Sequence, residues 1–425
     1  MAAAREAILN APVFEPADDD GPRHGGNGAG GPGDGAAAAS IFEPEDAADM
    51  LAEVIPPRQW LLGTALCRDF VTVLAAKGGS GKTSLMLAWV LSLATGRALV
   101  GSYIHKRARV LILTGEDTRA ELLRRLRATC IHYSIDDEQL RGWLYVRSLN
   151  GVGVTLATVG ADGTMADTGA AKQILDVIAR LQIDVVAFDP FIKLSGAPEN
   201  DNMATDFVCR LLSRIAETGN VAVLVAHHYR KGPNEAGNID GARGARSLID
   251  AARIAYTLQP MNGEEAQSMS VPEAERWRLV RLDDGKLNLT VASKARWFRM
   301  ASVDIGNGDH EYPNGDNVQA IETWTPPDTF AGLDTAALNR ILDAIEAGPS
   351  EGERYSGANA AKDRAAWRAV QTIATDKTEE QCRAIIAAWK RSGLLKVVEY
   401  ESTADRKPCK GLSVDASKRP GNVYE

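Results

Sequence analysis

The sequence predicts an α/β protein: a mostly parallel sheet with helices on both faces. Three observations predict it. From about Trp60 onward, short apolar runs alternate with helix-length amphipathic segments. One run, FVTVLAA, opens into the glycine-rich turn KGGSGKT and then a long apolar segment. Another, DVVAFDP, ends on a carboxylate. Strands that read as near-continuous apolar runs, spaced by helix-length segments, belong to sheets covered on both sides.

The elements follow in order. The chain has 425 residues, 45% hydrophobic and 24% charged, an ordinary globular balance with room for about two or three domains. Residues 1–55 hold two arginines against eleven acids, −9 where the whole chain is −8, so the remainder sums to +1. The acidity belongs to the N-terminal tail, and the remainder does not repel nucleic acid by bulk charge. Residues 1–50, rich in Gly, Ala and Asp, read as a disordered tail. It lacks the charged start and apolar stretch of a signal peptide, and no apolar run approaches the ~18 residues of a membrane span. Cys67, Cys130, Cys209, Cys382 and Cys409 are scattered without a C-x-x-C pair, which suits a reduced cytoplasm and argues against zinc.

Four strand-then-helix pairs follow: FVTVLAA with SLMLAWVLSLATG, ARVLILTG with TRAELLRRLRATC, DVVAFDP with ATDFVCRLLSRIAETG, and VAVLVAHH with GARSLIDAARIAYTL. RWRLVRL, LNLTV and ARWFRMASV read as strands closing the sheet edge. The prolines of TWTPPDTFAGLD mark a boundary, giving an α/β domain over 51–327 and a small domain over 328–425. That last part reads as helices TAALNRILDAI and DRAAWRAVQTIA, a third helix opened by a capping box at Thr378 and Gln381 and closed by Gly393, then a hairpin from LLKVVEYES to KGLSVDA. Three helices and a hairpin resemble a winged helix.

KGGSGKT carries the first chemistry. Gly78, Gly79 and Gly81 let the backbone turn its N–H groups onto a phosphate, and the helix starting near Lys82 adds its positive end. The expected nucleotide-binding residues are Lys77, Gly78, Gly79, Ser80, Gly81, Lys82, Thr83 and Ser84, with ATP and Mg²⁺ as ligands. Lys82 would reach the β/γ-phosphates, and Thr83 and Asp189 would hold the magnesium shell. Ala76 stands where the motif usually begins with glycine. The same seven residues also fit partition and division-site ATPases. Against that assignment, the next strand runs into Glu116 and Asp117, as in the RecA branch, where such a glutamate orients and deprotonates the attacking water. One acid of that pair is also expected to cap the following helix. Pro190 follows Asp189, so the base must come from elsewhere, which favours Glu116. Asp184 reads as a capping or surface residue.

His228 ends VAVLVAHH, where the RecA branch commonly has a glutamine that senses the γ-phosphate. The polar stretch after it holds Arg230, Lys231, Arg243 and Arg246, the expected grip on single-stranded DNA. Arg243, Arg246 or Arg253, the last expected in a helix, would serve as an arginine finger in a neighbour's site. Lys286 and Asn288 are weaker trans-acting candidates.

RQWLLGTALCRDFVTVLAAKGGSGKT, LTGEDTRAELLRRL, FDPFIKLSGAPENDN, VAHHYRKG, DGARGARSLIDAAR and DDGKLNL resemble, in that order, the RepA-like helicase family of plasmids and prophages. The resemblance spans roughly residues 55–327 and implies a RecA-like P-loop NTPase. It implies ATP hydrolysis at subunit interfaces of a homo-hexameric ring during DNA replication, with Lys82, Glu116, Asp189 and His228 on matching positions. Ala76, and Arg246 where relatives have a small residue, depart from the pattern. A second expectation is a regulatory or partition-type ATPase that uses ATP as an oligomerisation switch and binds duplex DNA through the C-terminal domain.

Overall fold

Side chains of a strand alternate between faces, and the central strands here bury both sets. The computed structural model describes residues 44–160, 163–196, 201–228, 246–269, 271–290, 295–326, 328–358, 361–403 and 406–421. The chain divides into two units, Met1–Pro57 and Arg58–Glu425. In the first, a short helix, α1 (Ala47–Ala52), is capped by Asp46 and leaves Met50 and Leu51 exposed. It lies across residue 50, where composition ends the tail; most of the tail is outside the described residues.

The second unit opens with a hairpin, β1 (Trp60–Leu62) and β2 (Leu66–Cys67). It continues through β3 (Val71–Ala76), α2 (Lys82–Thr95), β4 (Val110–Thr114), α3 (Arg119–His132) and β5 (Leu144–Ser148). A small hairpin, β6 (Ala157–Val159) and β7 (Met165–Asp167), precedes α4 (Ala170–Leu181), β8 (Val185–Asp189), α5 (Asn202–Gly219), β9 (Ala222–His228), α6 (Arg246–Ala251) and β10 (Ile254–Pro260). Two short helices, α7 (Gly263–Ser268) and α8 (Glu273–Arg276), lead to β11 (Leu279–Leu287), β12 (Arg296–Asp304) and β13 (Asn317–Trp324).

These strands form one nine-stranded sheet in the order β13-β12-β11-β10-β3-β9-β8-β4-β5. From β10 to β5 every neighbour is parallel, and β10 to β13 are antiparallel. Leu74 and Ala76 of β3 enter a core shared with α2 and α3, while Val71, Val73 and Ala75 enter the core under α4, α5 and α6. Helix α2 is buried almost all round, Trp89 included, as its unbroken apolar sequence requires. Pairing Ala76↔His228 sets the tips of β3 and β9 level, and Thr114↔Asp189 those of β4 and β8, so that four strand ends gather at one edge of the sheet. In open α/β sheets that carboxyl edge is where ligands bind. Among the described residues no helix is long and apolar enough to cross a membrane.

Several readings need correction. GARSLIDAARIAYTL is not one helix: α6 ends at Ala251, and Ile254–Pro260 is a strand paired with β3. The β-branched and aromatic residues Ile254, Tyr256 and Thr257 fit a pleated, buried ribbon better than a helix. LNLTV is not a strand of its own, because β11 runs through DDGKL and stops at Leu287. Strands β5 and β13 were not anticipated. Asp184 is no mere surface cap: it pairs with Arg68 and accepts the Arg109 backbone N–H at 2.7 Å, tying the starts of the central strands together.

The C-terminal residues form α9 (Thr335–Ala347), α10 (Trp367–Ile373), α11 (Glu379–Arg391) and an antiparallel hairpin of β14 (Leu395–Glu401) and β15 (Pro408–Val414). They share a core built on Ile341, Ile385, Trp389 and Leu412. Thr378 and Gln381 make both halves of the capping box, and Gly393 beyond α11 takes φ +72°.

Candidate active site

The glycine-rich turn leaves β3 at Ala76 and closes on itself. The Lys77 carbonyl accepts the Ser80 backbone N–H at 3.2 Å and the Ser80 hydroxyl at 2.7 Å. Gly79 and Gly81 lie at φ +75° and +81°, which an L side chain rarely adopts. A methyl group on Gly78 or Gly79 would meet nothing within 4 Å, so the turn faces open space where a ligand can lie against its backbone. On Gly81 the same group would strike Met300 of β12. Helix α2 starts at Lys82 with no side-chain cap, leaving its first amides for an anion.

Lys82 and Asp189 are both almost fully buried and form an ion pair. The second carboxylate oxygen of Asp189 accepts the Thr83 hydroxyl at 2.7 Å. The two residues expected to hold magnesium thus touch. Among the described residues no group of three or more His, Cys, Asp or Glu is placed to hold a metal unaided. A magnesium ion fits here only in the manner of a P-loop site, completed by phosphate oxygens and water.

Across the cleft, Glu116 extends from the tip of β4, more than half exposed, and its Oε2 lies 3.2 Å from His228 Nε2. The Asn150 amide donates to the Glu116 carbonyl at 2.5 Å. Neither Glu116 nor Asp117 caps α3; Thr118 does, accepting the Glu121 N–H at 3.2 Å. Asp117 is instead part of the cleft wall. Its backbone N–H donates to Thr114 Oγ1, and its carboxylate lies 3.0 Å from Arg125 Nε. Burial raises its pKa above the ordinary carboxylate value and Arg125 opposes that rise.

One cleft therefore collects Lys77, Gly79, Ser80, Gly81, Lys82, Thr83, Ser84, Glu116, Asp189 and His228. Asp117, weighed in the sequence only as a partner of Glu116 and a possible cap, joins them, as do two residues that the sequence did not single out, Arg125 and Gln319. Arg125 lies nine residues beyond Glu116, about two turns into α3, and that spacing was its only signal. Gln319 arrives on β13, which the reading did not contain. The β12–β13 hairpin crosses α3, where Arg124 pairs with Asp316 at 2.9 Å and the Tyr133 hydroxyl donates to the Ile321 carbonyl at 2.6 Å.

The remaining candidates lie elsewhere. Arg253 is exposed, in the bend between α6 and β10 rather than in a helix, and does not line the cleft. Lys286 donates to the Ile249 and Asp250 carbonyls at the end of α6, at 3.2 and 2.7 Å. Arg230, Lys231 and Arg243 lie outside the described residues, and so does the side chain of Arg246, the first residue of α6.

Residues 38–234 match the model of a family described as an AAA domain. That span holds the glycine-rich turn, Glu116, Asp189 and His228 together. No curated protein matches the chain. Among solved structures it is similar to the flagellar accessory protein FlaH from Methanocaldococcus jannaschii, at 13% identity and a TM-score of 0.36, covering 55% of this chain and 86% of that one.

Proposed function

We propose that this chain, which carries a RecA-like P-loop ATPase domain, is a Mg²⁺-dependent ATP hydrolase that works as a ring-forming motor on single-stranded DNA. The observation that carries the hydrolytic half is the hydrogen bond between Glu116 and His228, facing Lys82, Thr83 and Asp189 across one cleft. In this reading water attacks the γ-phosphorus as the bond to the β-γ bridging oxygen breaks. Glu116 takes the proton of that water, and ADP and phosphate leave. Lys82 gives up its contact with Asp189 to neutralise phosphate charge, and Arg125 adds a second cation. Thr83 and Asp189 would hold the magnesium ion, which supplies charge neutralisation at the phosphates.

His228 gives the motor half its support. It ends β9, touches the proposed base, and leads directly into the Arg- and Lys-bearing segment that begins after it. An imidazole that donates one hydrogen bond and accepts another can report the state of the base to the segment beyond it. Helicase action in replication of a mobile element is the fuller form of this reading, and it draws on the six sequence blocks rather than on the cleft.

The test is ATP turnover by the full chain with oligodeoxythymidine or with blunt duplex. The motor reading expects several-fold stimulation by the single strand. Stimulation by duplex alone would instead support an ATP-driven switch that binds DNA through the C-terminal residues. Lys82→Ala with undiminished turnover would remove the hydrolytic assignment itself.

A further inference from the structure

Asp189 lines two cavities. The second, of ≈ 520 Å³, lies beside the catalytic cleft between the loop 149–155 and the turn 190–195. Its lip is apolar and open: Val154 and Ile192 are 42% and 36% exposed, and Val152 in the same loop is 52% exposed. Lys193 supplies a cation. It is exposed, and among the described residues no carboxylate pairs with it.

Both walls of this cavity hold the backbone around Glu116. From one wall, Asn150 donates its amide to the Glu116 carbonyl. From the other, Lys193 rests its stem on Gly115: a methyl group there would lie 2.7 Å from Lys193 Cβ and 3.0 Å from Cγ. The Gly115 N–H in turn donates to the Asp189 carbonyl at 2.8 Å, and the Lys193 N–H to the Pro190 carbonyl at 3.2 Å. A ligand that moves either wall therefore moves the peptide that carries the proposed base.

We propose that this cavity takes one nucleotide unit of a bound single strand, and that Lys193 is a positioning residue through which strand occupancy sets Glu116. The proposal rests on the single-stranded DNA reading above. The apolar lip suits a base or sugar, and Lys193 suits the adjoining phosphate. A lone lysine is a weak grip for a free nucleotide. In a polymer it is one contact among several, which together set the affinity.

The experiment uses the full chain, fluorescein-labelled oligodeoxythymidine and two readouts. Anisotropy across a salt series gives strand affinity, and ATP turnover with and without strand gives coupling. Relative to its own turnover without strand, Lys193→Ala should lose most of the strand stimulation, and it should lower the slope of log affinity against log salt by about 0.7, the change for one phosphate contact on a single strand. Lys193→Arg should restore both. A Lys193→Ala protein with the parental salt slope and full stimulation overturns the proposal while leaving the motor reading intact. A parent protein that binds no strand at any salt overturns the motor reading and this proposal together.

Discussion

Glu116 and His228 come from different strands, 112 residues apart, and meet at 3.2 Å. The pairing gives Glu116→Gln a specific signature. The amide still accepts and donates hydrogen bonds, so ATP binding should be unchanged, while turnover falls at least ~10²-fold for want of a base. Equal turnover in a single-cycle assay would take Glu116 out of the chemistry. The neighbouring His227 points the other way and behaves differently. It is 2% exposed, neither ring nitrogen has a partner among the described residues, and it meets Phe191 edge-on at 5.7 Å. Burial first, then His228 and Lys82, push its pKa down to about 4 from the ordinary 6.5. Between those two pH values the unfolded chain takes up a proton that the folded chain refuses. Stability therefore rises with pH across that window and is lost as pH falls through it. For this nearly fully buried ring the loss amounts to roughly 3 kcal/mol at the acid end. His227→Phe removes the titration, and urea unfolding from pH 7 to 4 should then show a shallower decline than the parent. Parallel curves would mean that the ring is not held neutral.

At the scale of elements, legibility tracked how local the determining physics was. Thr378 and Gln381 lie three apart and satisfy each other's backbone, so the start of α11 was readable from four residues. The β3 turn and the Asp189 strand tip were readable for the same reason. The full length of strand β11 was not: RWRLVRL reads as a strand, but the DDGK that continues it looks like a turn. Asp283 is buried and pairs along its own strand with Arg281 at 2.7 Å, and Arg281 in turn pairs with Glu265 of α7 at 2.7 Å. Strand β13 shows no clean alternation, since it packs across α3 only near Ala320 and Ile321. Without β13, Gln319 could not be placed at the cleft. Lys286 illustrates the same limit. Its charge suggested action on a neighbour, yet it caps the C-terminal carbonyls of α6, where a cation is favoured. Lys286→Ala should cost about 1.5 kcal/mol of stability, the low end of the range for a hydrogen bond from a charged group. Catalytic turnover at saturating ATP should stay within about twofold, since no catalytic interaction is lost. A collapse of turnover with unchanged urea midpoint would return Lys286 to the trans-acting role.

For the whole molecule the open question is how many chains complete one site. Among the described residues of this chain, Arg125 is the arginine that lines the cleft, and Arg253 lies away from it, exposed. A motor whose finger comes from the next subunit would keep such an arginine idle in its own site and use it in the neighbour's. Mixing discriminates that arrangement from a self-sufficient monomer. Glu116→Gln subunits keep the finger and lack the base; Arg253→Ala subunits keep the base and lack the finger. If Arg253 acts in trans around a closed head-to-tail ring, about a quarter of the interfaces in an equal mixture pair an intact base with an intact finger. Turnover should then recover to roughly that fraction of the parent's, although alone Glu116→Gln is slowed by at least ~10²-fold for want of a base and Arg253→Ala by at least ~10³-fold, the lower bound for losing a finger. The recovery should need both variants in one assembly, so it should appear only at concentrations where light scattering reports the oligomer. A mixture no more active than the mean of its parts would assign Arg253 to its own chain or to no catalytic role, and would leave Arg125 as the cation that serves the phosphate.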